Sequence, residues 1–461
     1  MNENTLATRL ADWVVGLNYN DLQPRAVEVT KLLILDQLGL QILGATLPNV
    51  GPERRLVEAM NAAPQSTVVL SGTKTIAPYA AYVNGTLAAS CEFDDVHMYA
   101  AHIGSAVVPT ALAVGEYTTL SGQDVLTAIV AGAQVMALLG ATTVVDMVGK
   151  GWHASKILGT FGAAAAAGKL LGLTSRELTH AFGIAGSDAA GTMEYERSGG
   201  EVKRMHSGSA ARTGTQAALL AKDGLTGPPT IIEGERGVLR LITGRQDLYA
   251  PDELWEHFQI IDTMFRMYPT IGSAGPAIDA VRNLQRQYEL KWRDISEIRL
   301  GLPAIAIGHG ASVTHPTDAV SAQFSTAFSI ALRLVREQNR PGDYLDPALW
   351  VDPDLLSVVD KITPHPQTFP PDAPLMSCQI DIALKDGRVL TDTQAGRHPN
   401  EPDTSDHDIR AKFRENVDGT ISAAAARAIT EQVHAIDQAK NLTDLMGHTA
   451  TRISAPVLPP I

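Results

Sequence analysis

Residues 125–145 read VLTAIVAGAQVMALLGATTVV and contain no charged side chain. A run of this length is long enough to span a bilayer, but the buried core helix of a globular protein has the same character. The run is rich in Ala, Gly and Thr rather than in Leu and Ile, and we find no second run like it in the sequence. We therefore predict a buried core helix and no membrane partner.

Helical patterns surround this run up to about residue 224. Apolar residues recur near every third or fourth position, and Gly and Pro stand between the segments as stop signals. Aromatic residues make up only 5% of the chain, whereas Ala, which is abundant, favours helices and lets them approach closely. We predict tightly packed helices that include residues 26–44, 111–120, 161–171, 174–185 and 210–222.

The sequence changes character near residue 268. Residues 297–307 (EIRLGLPAIAI) and 378–390 (CQIDIALKDGRVL) alternate as β-strands do, and Asp386-Gly387 is typical of a hairpin turn. A chain of 461 residues also exceeds the size, about 250–300 residues, at which one hydrophobic core stops growing. We therefore predict a mainly α protein with two domains: a large all-helical domain formed by both chain ends (residues 1–267 and 401–461), and a smaller inserted α+β domain (residues 268–400).

The net charge of −13 argues against nucleic acid as a partner, because phosphate backbones bind basic surfaces. A small anionic substrate needs only a few local cations. The two cysteines, Cys91 and Cys378, are too few and too far apart in sequence for a zinc motif or a disulfide framework. The N-terminus lacks a basic segment followed by an apolar run, so we expect a cytoplasmic protein.

Residues 91–105 (CEFDDVHMYAAHIGS) concentrate acidic residues and histidines. Asp94 and Asp95, together with His97 and His102, supply groups that exchange protons near neutral pH. Two other interpretations stay open. One is a helix N-terminus capped by Asp94 or Asp95 beside solvated histidines, and the other is a metal site. The spacing matches no standard metal signature, so we expect no metal here.

Two further clusters are associated with helices of small residues. His153 lies at a glycine-marked turn, as either a positioned imidazole or a structural histidine. Lys203, Arg204 and His206 lie just before the predicted helix at 210–222, where cations oppose the helix dipole unless an anion joins them. We interpret this stretch as an anion receptor; the alternative is a solvated basic turn.

Arg266 and Tyr268 lie at the predicted domain boundary. A guanidinium group can clamp a carboxylate with two hydrogen bonds, and clefts between domains are common ligand sites. We predict that both residues bind substrate. The alternative for Arg266 is an arginine at the surface.

In number and order these motifs resemble the MmgE/PrpD family, which includes 2-methylcitrate dehydratase, cis-aconitate decarboxylase and iminodisuccinate epimerase. The resemblance extends over about residues 30–415. It rests on residues 84–86 (NGT), 93–97 (FDDVH) with His102, 151–153 (GWH), 162–172 (GAAAAAGKLLG), 203–211 (KRMHSGSAA), 224–237 (GLTGPPTIIEGERG), 268–269 (YP), 322–325 (AQFS) and 385–388 (KDGR).

The resemblance implies a helical domain built from both chain ends, an α+β domain, a homodimer and a substrate cleft between the domains. It also implies chemistry without a metal or an organic cofactor, with Asp94 and Asp95 orienting the reacting groups. We predict that the catalytic residues are His102, His153 and Lys203. The predicted substrate-binding residues are Asp94, His97, Arg204, His206, Arg266 and Tyr268.

The chain departs from the family at several of these motifs. Val96 stands where the decarboxylases and dehydratases usually have Thr, and Met98 and Ile103 replace the prolines that commonly follow the two histidines. Gly275 stands where the family usually places a His after Tyr-Pro, although the basic residue before Tyr-Pro is kept as Arg266. These differences bear on the substrate and on the outcome of the reaction.

We predict a lyase, either a dehydratase or a decarboxylase, that acts on a small di- or tricarboxylate. Removal of a proton next to a carboxylate builds charge that Lys203 and Arg266 would stabilise, while His102 or His153 takes the proton. One alternative is an epimerase of a dicarboxylate such as iminodisuccinate, favoured by the missing Thr and His. The others are a non-catalytic binding protein and a metal-dependent hydrolase that uses Asp94, Asp95, His97 and His102.

Overall fold

The computed structural model describes residues 5–47, 50–308, 311–374, 376–395 and 406–450. The chain divides into two units, one made of Met1–Phe265 with Thr404–Ile461 and the other of Arg266–Asp403. The first unit therefore contains both chain ends, and the second is an insertion between them.

Helices dominate the described part of the chain, as predicted from the sequence. The α-helices are α1 (Leu6–Gly16), α2 (Pro24–Gly44), α3 (Gly51–Ala59), α4 (Ala77–Ala89), α5 (Gly104–Thr118), α6 (Gly122–Gly140), α7 (Val144–Gly149), α8 (Ala154–Leu170), α9 (Ser175–Gly186), α10 (Tyr195–Ser198), α11 (Val202–Lys222), α12 (Val238–Thr243), α13 (Asp252–Glu256), α14 (Ala274–Tyr288), α15 (Ala304–Gly308), α16 (Ala319–Gln323), α17 (Thr326–Arg336), α18 (Pro341–Leu345), α19 (Pro347–Trp350), α20 (Pro353–Val359), α21 (Asp406–Val417), α22 (Ala423–His434) and α23 (Thr443–Thr449). Short 3-10 helices lie at Tyr19–Asp21, Gln259–Asp262, Trp292–Asp294 and Ile436–Gln438. The strands are β1 (Ser66–Thr67), β2 (Lys74–Thr75), β3 (Ile295–Leu302), β4 (Ile362–Pro366), β5 (Cys378–Leu384) and β6 (Val389–Gln394).

The first unit is a helical assembly around one hydrophobic core. Leu10 and Leu33 from the start of the chain share this core with Phe413 and Ile429 from its returning C-terminal part. The described strands of this unit are β1 and β2, which form an antiparallel pair of two residues each. The predicted mainly α architecture is therefore confirmed, with this small ladder as an addition.

The uncharged run at 125–145 contributes most of its length to helix α6. Ser121 and Asp124 form a capping box that begins the helix. Within the described residues, α6 is the one helix long and apolar enough to cross a membrane, and 89% of its most apolar window is buried inside the protein. The helix is thus packed as a core helix, as the Ala, Gly and Thr content predicted.

Glycines allow α11 to lie directly against two other helices. A Cβ at Gly208 would stand 2.1 Å from the carbonyl oxygen of Tyr82, and one at Gly85 would stand 2.9 Å from Gly208 Cα. On the next part of α11, a Cβ at Gly214 would stand 2.5 Å from the amide nitrogen of Ala164. No larger residue fits at these crossings. The small residues therefore fix α11 tightly between α4 and α8.

The second unit contains a four-stranded sheet in the order β4-β3-β5-β6. Strand β3 is parallel to β4 and antiparallel to β5, and β5 pairs antiparallel with β6. The β5–β6 hairpin turns at Asp386-Gly387 as predicted, with Leu384 N donating to Arg388 O at 2.8 Å. Gly387 has φ of 90°, a conformation that glycine adopts without a Cβ clash.

Two details of this unit differ from the sequence prediction. Residues 297–307 were predicted as one strand, but β3 ends at Leu302 and Pro303 separates it from helix α15. Proline has no N–H for the ladder, which explains the break. Strand β4 (ITPHP) was not predicted, because its two prolines hide any β pattern; it lies at the edge of the sheet, where proline is tolerated.

Candidate active site

Three helix N-termini meet in the first unit. Ser105 on the first turn of α5 lies with its Oγ 3.0 Å from the Oγ of Ser207 on α11. His153 at the N-cap of α8 lies with its Nδ1 2.8 Å from Nδ1 of His206, also on α11. The positive ends of three helix dipoles therefore point towards one region, an arrangement that favours an anion.

Helix α11 begins earlier than the sequence predicted. It starts at Val202, so Lys203, Arg204 and His206 lie inside its first two turns and not before it. The predicted start relied on apolar periodicity, which begins only near residue 210. Lys, Arg and Met have good helix propensity, so the helix extends further towards the N-terminus. The predicted meeting of these cations with a helix N-terminus is nevertheless present.

Asp95 holds the start of helix α5. Its Oδ2 accepts a hydrogen bond from Ile103 N and its Oδ1 accepts one from Gly104 N, both at 2.9 Å. Gly104 is required here, because a Cβ would stand 2.4 Å from Asp95 Oδ1. Burial, and next the charge of Asp94, raise the pKa of Asp95 to about 7. Asp95 is therefore the capping carboxylate that one of the sequence interpretations anticipated.

His97 is committed to the backbone. Its Nε2 bonds to the carbonyl oxygen of Gln259 at 3.0 Å, and its Nδ1 accepts from the amides of Tyr99 and Ala100, each at 3.1 Å. Burial lowers the pKa of His97 to about 4. Neither ring nitrogen is left for a ligand. His97 thus holds the loop through backbone hydrogen bonds, and its substrate-binding role stays a prediction.

His102 lies at the end of the same loop with a different bonding pattern. Its Nδ1 stands 2.6 Å from the carbonyl oxygen of Asp95. A carbonyl only accepts, so Nδ1 carries a proton and donates it to Asp95 O. If the ring is neutral, Nε2 is then its basic nitrogen. Asp94 Oδ2 lies 3.8 Å from the same Nδ1 and accepts from the hydroxyl of Ser105 at 2.9 Å. His102 is thereby oriented with Nε2 as its basic atom.

His153 and His206 form a second pair of imidazoles. Burial, and then the charge of Lys203, hold the pKa of His153 well below its usual value. Burial, Lys156 and Lys203 lower the pKa of His206 to about 4. Both rings are therefore neutral at pH 7. One ring must donate through Nδ1 to the other, so one of them has a bare Nε2 and the other an Nε2–H. The pair offers one base and one acid.

Lys203 brings a cation to this pair. Its Nζ forms an ion pair with Glu92, and both side chains are largely buried, with 12% and 9% exposure. Its charge contributes to the lowered pKa values of both His153 and His206. Lys203, His206 and Ser207 are spaced i, i+3 and i+4, so they share one face of α11.

Several polar residues around the meeting point of α5, α8 and α11 were not predicted from the sequence to be functional. Glu92 belongs to the acidic cluster at 91–105 but was given no role there. Ser105 and Ser207 were missed, since a serine in a small-residue helix gives no signal of its own. Tyr195, eight residues before Lys203 in the sequence, was given no role either, and it lies against both rings of the His153–His206 pair.

Arg204 lies on a different face of α11 from Lys203. Its Nη1 bonds to Glu201 at 3.1 Å, and its charge acts on Glu53 and on Cys91. Successive helix residues point about 100° apart, which explains why Lys203 and Arg204 separate. Arg204 is therefore paired with Glu201, while its Nη2 is buried and has no hydrogen-bond partner among the described residues; its substrate-binding role stays a prediction.

Arg266 and Tyr268 belong to the second unit. The hydroxyl of Tyr268 donates to Asp279 at 2.7 Å, and Nη1 of Arg266 donates to the carbonyl oxygen of Thr270 at 3.3 Å. Burial, and next the charge of Asp279, raise the pKa of Tyr268. Their substrate-binding role stays a prediction.

Metal ligation needs several side chains that converge on one point. Among the residues that the structure describes, no three His, Cys, Asp or Glu side chains are grouped in this way. This holds for the set of Asp94, Asp95, His97 and His102, in which Asp95 and His97 are used by the backbone. The hydrolase alternative therefore has no ligand set within the described ranges.

Buried neutral imidazoles, a buried ammonium group and converging helix N-termini are the parts of an enzyme that moves protons on an anionic substrate. The model of the MmgE/PrpD N-terminal domain matches residues 8–250, and that of the MmgE/PrpD C-terminal domain matches residues 268–438. The chain belongs to the MmgE/PrpD family.

Curated relatives cover nearly the whole chain. A cis-aconitate decarboxylase-like protein of Aspergillus oryzae is 28% identical over 96% of this chain and 97% of its own length. The cis-aconitate decarboxylase of Aspergillus terreus is 28% identical over 98% of this chain and 97% of its own. The cis-aconitate decarboxylase of Homo sapiens is 27% identical over 96% and 92%, respectively. These relatives are lyases by name.

Proposed function

We propose that this protein is a lyase that removes carbon dioxide from a small tricarboxylate, with cis-aconitate as the first candidate. The observation that carries the proposal is His102, whose ring is oriented through Nδ1 by the carbonyl oxygen of Asp95, in a unit where Lys203 and the His153–His206 pair lie at converging helix N-termini. The names of the curated relatives support the choice of decarboxylation over dehydration.

The chemistry explains why such groups are needed. Decarboxylation of an unsaturated tricarboxylate breaks a carbon–carbon bond to one carboxylate. The electron pair of that bond moves through the double bond towards a second carboxylate, and a proton is added to carbon. A trianion and one proton thus give a dianion and carbon dioxide. The barrier falls when a cation stabilises the charge that builds on the second carboxylate.

Each group has a distinct task in this proposal. Lys203, with the helix N-termini around it, stabilises the developing charge. His102 exchanges the proton through Nε2, taking it from solvent and giving it to carbon. The His153–His206 pair supplies a further acid and base that stay neutral at pH 7. None of these tasks requires a metal or an organic cofactor, and absence of both is part of the proposal.

An epimerase of a dicarboxylate is the second candidate. It is favoured by Val96 and Gly275, which stand in place of the Thr and His usual in the decarboxylases and dehydratases of the family. The backbone of Val96 is bonded in both directions to Met264, so this position is fixed and its side chain carries no hydroxyl. Return of a proton to the opposite face of the carbon would then replace loss of carbon dioxide.

The same family resemblance supports a homodimer as a further part of the proposal. A cytoplasmic location is also part of it, because the two cysteines are far apart in sequence and suit a reducing compartment. Light scattering of the purified protein measures its oligomeric state directly. A mass near twice the 49.1 kDa of the chain is expected, and a monomer at working concentration would remove this part.

The proposal is tested with carboxyl-labelled cis-aconitate and detection of labelled carbon dioxide, in the presence of a chelator. We expect turnover by the wild type. Lys203→Met should lower it by about a hundredfold or more, the usual effect of removing one charge-stabilising group. The matched control is Lys222→Met on the last turn of α11, where Nζ bonds only to Leu171 O in the described structure; it should keep full activity.

Lys203→Met also leaves Glu92 buried without its partner, so a second variant is needed. The double change Lys203→Met with Glu92→Gln removes both charges together. If Lys203 stabilises the reaction, the double variant stays inactive although it folds. Recovery of activity in the double variant, or no carbon dioxide from the wild type, would overturn the proposal.

A further inference from the structure

Tyr195 is the first residue of the short helix α10 and is almost fully buried, with 4% exposure. Its ring stands edge-on to His153, with centroids 5.8 Å apart and an angle of 83° between planes. It also stands edge-on to His206, at 5.9 Å and 72°. Two ring contacts fix the position of the phenol, so that its hydroxyl has little freedom beyond rotation of the proton.

The hydroxyl of Tyr195 is a buried donor that has no hydrogen-bond partner among the described residues. Buried tyrosine hydroxyls normally find a partner, because an unsatisfied polar group is costly. Phenylalanine would serve the ring contacts equally well without this cost. The hydroxyl therefore needs an explanation that the protein's own contacts do not provide.

The electrostatic surroundings indicate which side of the site the phenol faces. Burial, then the charges of Glu196 and Glu92, raise the pKa of Tyr195. Glu92 is the partner of Lys203, so Tyr195 lies on the Lys203 side of the imidazole pair. Because the pKa is raised, the phenol stays protonated across neutral pH. It can donate a hydrogen bond and does not serve as a base.

We propose that the hydroxyl of Tyr195 donates a hydrogen bond to a carboxylate of the bound substrate. The unpartnered donor, its fixed ring and the neighbouring cation of Lys203 together form a subsite for one carboxylate group, beside the imidazoles that handle the proton. This inference rests on the proposed function for the class of ligand, a small polycarboxylate. It adds a residue that touches the substrate and selects for it.

The test compares Tyr195→Phe with Tyr82→Phe. Tyr82 is equally buried, at 4% exposure, but lies on α4 and packs under Arg212. Two readouts are taken on the purified full-length protein: calorimetric binding of propane-1,2,3-tricarboxylate, a saturated polycarboxylate, and turnover of cis-aconitate. Tyr195→Phe should weaken binding by about tenfold to a hundredfold, as expected for a hydrogen bond to a charged group. Tyr82→Phe should bind like the wild type.

Thermal unfolding separates substrate contact from a structural role. Removing a buried hydroxyl that has no partner should leave Tm unchanged or raise it. A clear fall in Tm in Tyr195→Phe would mean that the hydroxyl has a structural partner, and this would overturn the inference. Equal binding in both variants and the wild type would overturn it as well.

The two readouts also distinguish this inference from the proposed function. If the wild type binds the tricarboxylate but does not release carbon dioxide, while Tyr195→Phe binds weakly, the subsite stands and the decarboxylase proposal fails. If the wild type turns over cis-aconitate and Tyr195→Phe matches it in binding and rate, the subsite fails and the decarboxylase proposal stands. A wild type that neither binds nor reacts would overturn both.

Discussion

His97 and His102 lie five residues apart on one loop, beside the adjacent carboxylates Asp95 and Asp94, yet the two halves of this loop differ in almost every contact. The ring of His97 bonds to the backbone through both nitrogens, and both oxygens of Asp95 accept from backbone amides. His102 contacts the backbone through Nδ1, which bonds to the carbonyl oxygen of Asp95, and the carboxylate of Asp94 lies 3.8 Å from the same nitrogen.

In this loop, backbone hydrogen bonds hold His97 and Asp95 in place, whereas His102 and Asp94 are the pair proposed to act in proton transfer. Asp95 fixes the start of α5 through its carboxylate and orients His102 through its carbonyl oxygen. His97 holds the turn between them. Residue type alone does not decide function here. What decides it is whether backbone groups have used up the hydrogen-bonding capacity of the side chain.

Replacement of each histidine by alanine should give opposite results and the largest effects. His102→Ala should lower turnover by at least about a hundredfold, the usual contribution of an acid–base group, with little change in stability. His97→Ala leaves Gln259 O, the buried amide of Ala100 and the partly buried amide of Tyr99 without this partner, so it should cost about 2–4 kcal/mol of unfolding free energy. Urea unfolding and turnover at saturating substrate measure the two effects.

Equal loss of turnover in both folded variants would erase the distinction between the two halves of the loop. Unchanged activity in His102→Ala would remove that residue from the site. Either result would require a new assignment of the proton-transferring group.

Replacement of each aspartate by asparagine sharpens the same contrast. In Asp95→Asn, an amide group must face a backbone N–H of α5, and we expect a loss of about 1–3 kcal/mol. Asp94→Asn keeps an oxygen for Ser105, so its stability should change by about 1 kcal/mol or less, while turnover falls because the carboxylate near His102 has lost its charge. Urea midpoints with parallel rate measurements test this. A more unstable Asp94→Asn would contradict the contrast.

The pH dependence of stability follows from the same burial of neutral histidines. The pKa values of His97 and His206 are lowered to about 4, and burial holds that of His153 well below its usual value. Between pH 6.5 and 4 these histidines bind protons in the unfolded state but stay neutral in the folded state. The free energy of unfolding should therefore fall on acidification. Asp95 opposes this fall, because its pKa is raised to about 7 and it binds a proton more tightly in the folded state. It is one group, however, whereas three histidines act in the other direction.

His97→Asn should reduce this acid sensitivity by about 1 kcal/mol per pH unit, since one of the three histidines is gone. Urea unfolding of the wild type and the variant at pH 7, 6 and 5 provides the comparison. Parallel curves for the two proteins would show that His97 is not a buried neutral histidine.

The sequence predicted the parts of the structure that depend on local patterns. The helical class, the core position of α6, the capping box before α9 and the Asp386-Gly387 turn all follow from composition, periodicity and turn chemistry. The start of α11 and strand β4 escaped prediction, because polar helix formers and prolines hide periodicity.

Within the site, sequence spacing could name candidates but not separate them. The partner that commits His97 is Gln259 O, 162 residues away, and His153 meets His206 across 53 residues. Such contacts are set by how helices pack, here by glycines that bring α11 onto α4 and α8. Helix packing also brings Glu92 to Lys203 and Tyr195 to the His153–His206 pair. Sequence spacing alone therefore gave neither residue a role.

Above all, we propose that His102 and its neighbours move a proton at a carbon next to a carboxylate. Proton NMR in deuterium oxide tests it most directly, with a panel of 2-methylcitrate, citrate, cis-aconitate, iminodisuccinate and tartrates, for the wild type and His102→Ala. We expect deuterium at a carbon next to a carboxylate in one of these compounds or its product with the wild type, and at least about a hundredfold less with His102→Ala. No deuterium with any compound, or equal deuterium in both proteins, would contradict it.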